Sequence, residues 1–326
     1  MHITVIVCTY NRCESLGKAL ASIASSVLPD AVEWEVLIVD NNSRDQTRAV
    51  SHDFSDRYPG RFRYLFEPKQ GKSNALNAGI RATAGQILAF TDDDVTVDPL
   101  WLQNVTAPLL INEWAGAAGR IRLEPNFQPP AWLAITGPFS LAAPLAAEFD
   151  RGEDEGPLDE LPYGANMAFR RFMFEKYGDF RADLGPTPGD EIRGEDTEFA
   201  GRLMAAGERL YYVPSAVVNH RVPQERVKKR YFRSYYFAQG RSVARLKGIK
   251  LPIRKIPGYS LSEIRGKLRW VASLDRQWFL NAHGRFFCEL AVLHILGQIV
   301  EGYRCFNGPR TKPGSQTAGP LQKAAG

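Results

Sequence analysis

The chain has 326 residues, 44% hydrophobic and 24% charged, a balance that excludes a disordered, collagenous or membrane-bundle protein and suits one large α/β domain with an appendage. Cys8, Cys13, Cys288 and Cys305 show no CxxC spacing, so they are expected as reduced thiols of a cytosolic protein rather than a disulfide framework. The net charge of +5 hides an asymmetry, −11 over residues 1–220 against +16 over 221–326, which predicts two surfaces with different partners.

In chain order, the first apolar run, 2–8, reads as a buried strand. No basic and apolar leader stands before it, so a cleaved secretory signal is not expected. A helix is predicted over 12–26, a second strand over 35–40 and a polar helix from about Asp45. A third strand, 62–66, precedes a Gly-containing loop and a helix over 73–83. The fourth strand, 86–90, runs into Asp92, Asp93 and Asp94. Strands of this kind alternating with helices predict a mostly parallel sheet covered on both faces. Ligands of such sheets bind outside the carboxyl ends of the strands. Three ends carry polar clusters: Thr9-Tyr10-Asn11-Arg12, Asp40-Asn41-Asn42-Ser43 and Asp92-Asp93-Asp94.

Adjacent carboxylates at a strand end repel one another and have no structural use unless they share a cation. Mg2+ or Mn2+ takes such oxygens together with substrate phosphates; a solvated acidic turn is the competing use. Asp40 can accept hydrogen bonds from a base edge or a ribose hydroxyl. Asn41, Asn42 and Ser43 are expected to shape the turn and cap the next helix. Lys72 and Asn74, at a helix start, can reach a nucleobase or phosphate, or form an ordinary solvated cap. The first strand is not followed by GxGxxG and no GxxxxGK[ST] occurs. Both absences argue against dinucleotide-binding and P-loop proteins.

The stretches 5–12, 39–43, 71–79 and 90–94 resemble the successive motifs of family 2 glycosyltransferases. The resemblance continues through Gly164-Ala165-Asn166-Met167-Ala168-Phe169-Arg170, Gly194-Glu195-Asp196-Thr197-Glu198-Phe199 and His220, in the family's order and spacing. It implies a GT-A fold, in which a Rossmann-like nucleotide-binding half (1–123) merges with an acceptor-binding half (124–220). It also implies metal-assisted, inverting sugar transfer from a nucleotide-sugar donor to a glycan, polysaccharide or lipid-linked acceptor. On this likeness Thr9, Asn11, Arg12, Asp40, Lys72, Asn74, Asp92 and Asp93 bind the donor. Asn166 and Met167 line the acceptor pocket. Asp94, Asp92 and His220 are the metal ligands for Mg2+ or Mn2+, with His220 alternatively a diphosphate contact or a structural hydrogen-bonder.

Single displacement needs a second acid, apart from the metal site, to take the proton of the attacking hydroxyl. Glu195 and Asp196 fit, since both fall in the first turn of an amphipathic helix, where the helix dipole favours carboxylates. Asp196 is the expected base; Glu195 either assists or stabilises the helix start. A nucleotidyltransferase making activated sugars, and a non-catalytic glycan-binding or membrane scaffold of the same fold, are the rival readings.

The insertion 124–161 holds Trp132 and Phe139, which can stack on sugars or pack in a core. Residues 221–308 read as a basic, mostly helical region. There Arg226, Lys228, Lys229, Arg230, Arg233, Arg241 and Arg245 interleave with Tyr231, Phe232, Tyr235, Tyr236 and Phe237. That composition suits an anionic membrane surface rather than nucleic acid. The apolar stretch 286–300 is interrupted by Glu289, His294 and Gln298, so an interfacial or packed helix is expected rather than a span. The tail 309–326 is expected to be disordered. Together these features lead to the expectation of a cytoplasmic protein, peripheral on the inner face of the plasma membrane.

Overall fold

The structure, a computed structural model, describes residues 2–111, 114–249 and 282–307. Strand β1 (His2–Thr9) is followed by α1 (Cys13–Ala24), β2 (Glu33–Asp40), α2 (Thr47–Arg57), β3 (Phe62–Phe66), α3 (Lys72–Arg81) and β4 (Ile87–Asp92). The spacing of Leu16, Ala19, Leu20 and Ile23 gives α1 one apolar face, which it buries. Next come β5 (Val95–Val97), α4 (Trp101–Leu110), β6 (Gly116–Leu123), α5 (Ala142–Ala146), β7 (Gly156–Leu158) and β8 (Met167–Arg170). The chain continues through α6 (Phe172–Tyr177), α7 (Glu195–Ala205), β9 (Leu210–His220), α8 (Lys229–Leu246) and α9 (Ala282–Asn307).

The described strands form one sheet in the order β3-β2-β1-β4-β8-β6-β9-β5, with β7 also paired to β9. β3, β2, β1 and β4 are mutually parallel, so their carboxyl ends open on one edge. β8 then runs antiparallel to both β4 and β6, which joins the second half to the first without a break. This is the expected architecture: a parallel nucleotide-type half merged with a mixed half and followed by a helical region.

An aromatic cluster fixes the two acidic segments relative to each other. Phe90, two residues before Asp92, meets Phe169, Phe174 and Phe180 with ring centroids 5.5–6.3 Å apart. Phe199, on α7 just after Asp196, stacks on Phe174 at 4.3 Å and meets Phe169 edge-on at 5.1 Å. Each such ring adds roughly 1.5–3 kcal/mol by burial, so β4, β8, α6 and α7 are held as a unit beneath the site.

A second core lies under the C-terminal helices. It joins Leu133, Leu141 and Leu145 of the insertion to Val222, Phe232, Phe286 and Leu290. Trp132 meets Phe232 and Phe286 edge-on, so core packing is the use the structure gives it. Helix α9 lies along α8. By length and composition its residues Ala282–Phe306, with mean hydropathy 1.3, would suffice to cross a membrane, but 39% of that apolar stretch is buried in the protein. The expected tail 309–326 lies outside the described residues.

Candidate active site

The ends of β1, β2 and β4 converge. At the end of β1, Asn11 adopts a left-handed φ of 51°. Its backbone N–H donates to Ser43 Oγ (2.9 Å), and its side-chain oxygen accepts from the Arg44 N–H (2.7 Å). The β1 and β2 loops are thereby tied to each other. Asp40 is buried and accepts from the Ser43 N–H and from the Tyr64 hydroxyl, both at 2.9 Å. Each carboxylate oxygen keeps a second lone-pair direction for a ligand. Thr9 is also buried, and its hydroxyl finds no hydrogen-bond partner among the described residues.

The Asn-Asn-Ser turn does not cap the next helix, contrary to expectation. Helix α2 starts only at Thr47, with Gln46 before it making no side-chain cap. Asn41 is instead buried and holds the 67–71 loop. Its amide nitrogen donates to the Glu67 and Lys69 carbonyls (3.1 and 2.8 Å), and its oxygen accepts from the Gly71 N–H (2.7 Å). Asn74 likewise serves the turn, donating to the Gln70 carbonyl at 2.8 Å.

The acidic triplet meets a set of cations. Lys72 Nζ lies 2.7 Å from Asp92 and 3.8 Å from Glu195. Arg12 reaches Asp93 at 2.9 Å and Asp94 at 3.0 Å. Arg226, from the loop between β9 and α8, reaches Asp94 at 3.1 Å. Burial pushes the Asp93 carboxyl above the usual range, and the charge of Asp94 adds to that against the pull of Arg12. Asp94 shifts the other way: burial would raise it, but His220, Arg226 and Arg12 hold it below the usual range.

Asp92, Asp94 and His220 can each offer one ligand atom, and those atoms all lie within 4.8 Å of one another. His220 Nδ1 lies 2.9 Å from the Arg221 carbonyl. Since that oxygen only accepts, Nδ1 donates to it, and Nε2 lies 3.4 Å from Asp94 Oδ1. A ring held this way through its other nitrogen is the arrangement of a ligating histidine.

Across from the triplet stands the start of α7. Asp196 Oδ2 accepts from the Gly164 N–H (2.6 Å) and Oδ1 from the Thr197 N–H (2.8 Å). The Thr91 hydroxyl donates to the Ala165 carbonyl at 2.8 Å, which links β4 to the same segment. Glu195 is buried, and its carboxyl is pushed up to about 7, first by burial and then by Asp196, with Lys72 opposing. Lys72 feels Asp92, Glu195 and Asp196 together, and despite its burial they raise its ammonium above the usual range.

Thr9, Asn11, Arg12, Asp40, Lys72, Asp92–94, Glu195, Asp196 and His220 are therefore brought to one sheet edge. Asn166 and Met167 are not open to an acceptor, contrary to the sequence expectation. Asn166 is fully buried: its oxygen accepts from Trp101 Nε1, and its nitrogen donates to the Arg120 and Ala216 carbonyls. Met167 belongs to the main core. Sequence reasoning had placed Arg226 in a lipid-facing run. Its one signal was position, six residues past His220.

A cavity of about 470 Å3 opens beside Tyr163, next to Gly164, and is lined among others by Glu148, Phe149, Asp150, Arg151 and Glu160. Asp150 pairs with Arg120 and Glu160 with Arg151. Burial and Asp150 raise the Glu148 carboxyl.

Comparison with known proteins bears on the family and the fold. The glycosyl transferase family 2 profile matches residues 4–178. The chain is 29% identical over 247 residues, 76% of its length and 75% of the relative's, to the succinoglycan biosynthesis protein ExoM of Rhizobium meliloti. It is 26% identical over 249 residues, 72% of the chain and 75% of the relative, to a glucosyl-dolichyl phosphate glucuronosyltransferase of Haloferax volcanii. Among solved structures it superposes on the mannosyltransferase PcManGT from Pyrobaculum calidifontis, determined with GDP-Man and Mn2+. That match has a TM-score of 0.61 and 18% identity, covering 92% of this chain and 86% of that one. Motif order, GT-A architecture and profile coincide, and the chain belongs to glycosyltransferase family 2.

Proposed function

We propose that the protein transfers a sugar, with inversion, from a nucleotide-diphosphate donor to a hydroxyl of a glycan, polysaccharide or lipid-linked acceptor. The observation that carries this reading is the opposition of two acidic groups across one sheet edge, the triplet at the end of β4 and Glu195-Asp196 at the start of α7. Thr9, Asn11 and Asp40 form the nucleoside end, where Asp40 has spare lone pairs to accept hydrogen bonds.

Asp92, Asp94 and His220 would hold Mg2+ or Mn2+. Two carboxylates and an imidazole suit such an ion, and PcManGT was solved with Mn2+. The ion's contribution is to neutralise charge on the leaving diphosphate. Asp196 acts as base: it accepts the hydroxyl proton while the acceptor oxygen bonds to the anomeric carbon and the bond to the diphosphate breaks, the electron pair leaving with the diphosphate. The Gly164 and Thr197 N–H groups fix the carboxylate in place. The acceptor enters through the cavity beside Tyr163, whose aromatic and carboxylate lining suits sugar rings and hydroxyls.

Asp196→Asn is the test. Transfer should fall by about 10²–10⁴-fold, while nucleotide-sugar binding, read by thermal shift with Mn2+, persists. Retained transfer in a folded variant would remove Asp196 from the base role. We further propose that the protein works in the cytoplasm at the inner face of the membrane, a reading supported by the polysaccharide and dolichyl-phosphate chemistry in the relatives' names.

A further inference from the structure

Every acid of the triplet already has a basic partner. Lys72 lies on Asp92, Arg12 bridges Asp93 and Asp94, and Arg226 lies on Asp94. Three carboxylates thus meet three cations within 3.1 Å. The partners come from three separate segments, and the Arg226 side chain is mostly buried, 16% exposed. Its second nitrogen donates to the Leu145 carbonyl at 3.1 Å, which aims the guanidinium into the site.

We infer that Arg226 is a ligand of the donor diphosphate which, with Arg12 and Lys72, is held on the acidic triplet until the donor arrives, so that divalent ion and nucleoside diphosphate bind as a pair. The inference rests on the transferase reading of the site. A divalent ion entering alone would meet the repulsion of three fixed cations on its own ligands. A diphosphate entering alone would meet three carboxylates. When both enter, Asp92 and Asp94 turn to the ion, Arg226 turns to phosphate oxygens, and Arg12 gives up Asp94 but keeps its contact with Asp93. Every charge then has an opposite neighbour in a site of low dielectric, where an unpaired charge is costly. Lys72 keeps Glu195 3.8 Å away as a second carboxyl neighbour. Arginine is suited to this exchange because its planar fork binds carboxylate and phosphate alike.

Such coupling is reciprocal: the factor by which diphosphate tightens the ion is the factor by which the ion tightens diphosphate. The experiment is a Mn2+ titration of the full chain followed by the free-ion electron paramagnetic resonance signal, alone and with GDP, UDP, CDP or dTDP. The wild type should bind Mn2+ alone at least about tenfold more weakly than with its preferred diphosphate. Arg226→Gln should bind Mn2+ alone more tightly and the diphosphate more weakly, which shrinks the coupling factor. Arg226→Lys, which keeps the charge but loses the fork, should leave the affinity for Mn2+ alone low. Arg12→Gln changes a half-exposed side chain and should shift Mn2+ binding in the same direction as Arg226→Gln, whatever the latter does to folding. Mn2+ bound equally well with and without diphosphate, or unaltered by both glutamine variants, overturns the inference and leaves the transferase reading standing. Absence of binding by all four diphosphates, with or without Mn2+, overturns both.

Discussion

Glu195 and Asp196 are adjacent, yet they stand in different surroundings. Asp196 keeps an open edge and accepts two backbone N–H groups. Glu195 is enclosed beside Lys72, and burial with the nearby Asp196 pushes its carboxyl up to about 7. Because the folded state holds that proton more tightly than the unfolded chain, the associated stability is fully present below the ordinary glutamate range and is lost as pH rises through about 7. Glu195→Gln should therefore flatten the fall in stability between about pH 5 and pH 7, by something on the order of 2 kcal/mol. Urea unfolding at a series of pH values reads this out directly, and an identical slope in both proteins would contradict it. Residue type and order had marked the pair as the second acid group. The family likeness singled out Asp196 as the base, but the raised Glu195 carboxyl was not legible, because its burial is set by the folded surroundings and not by its neighbours in sequence. The same limit hid Arg226, whose partner Asp94 lies 132 positions away.

Helices α8 and α9 bear on the site through an ion-pair network. Arg241 bonds Asp190 and Glu301, both at 2.7 Å, and Arg245 bonds the same two acids at 3.1 and 2.6 Å. Asp190 belongs to the loop that delivers Glu195 and Asp196, and the Ser242 hydroxyl accepts from the Arg193 N–H in that loop. The helices approach closely at Gly240 and Gly297, where a Cβ would overlap the facing carbonyl of His294 or Phe237. Glu301 is buried, so Glu301→Gln leaves two guanidiniums undercompensated and should cost about 3–5 kcal/mol. Hydrogen exchange should then quicken over 184–194 while the parallel half stays protected. Exchange unchanged in that loop would mean the helices do not brace it. At this scale the parallel half was readable, since β1 to β4 are apolar runs of strand length. The second half was not: β6 reads Gly-Ala-Ala-Gly-Arg-Ile-Arg-Leu, small residues that pair β8 and β9, and at Gly119 a Cβ would overlap Ala216 and Asn166.

At the scale of the molecule, the separation into an acidic body and a basic C-terminal region survives folding only in part among the described residues. Arg226, Arg233, Arg241 and Arg245 are consumed by Asp94, Glu289, Asp190 and Glu301. These arginines therefore add little to an outward basic face of the described residues. Lys228, Lys229 and Arg230 remain exposed at the start of α8. Val292 and Leu296, one turn apart on α9, are also exposed, at 41% and 45%. Each basic side chain near an anionic bilayer adds about 1 kcal/mol, screened by salt, so an attachment resting on these three would be weak and reversible. Flotation with vesicles of phosphatidylcholine containing phosphatidylserine should therefore recover the protein at low salt and release it near physiological salt. Replacing Lys228, Lys229 and Arg230 by glutamine should remove roughly 3 kcal/mol of that binding and leave Mn2+-dependent nucleotide binding intact. Flotation insensitive to both salt and the triple replacement would instead place the attachment on the apolar face of α9, where Val292→Ser with Leu296→Ser should abolish it.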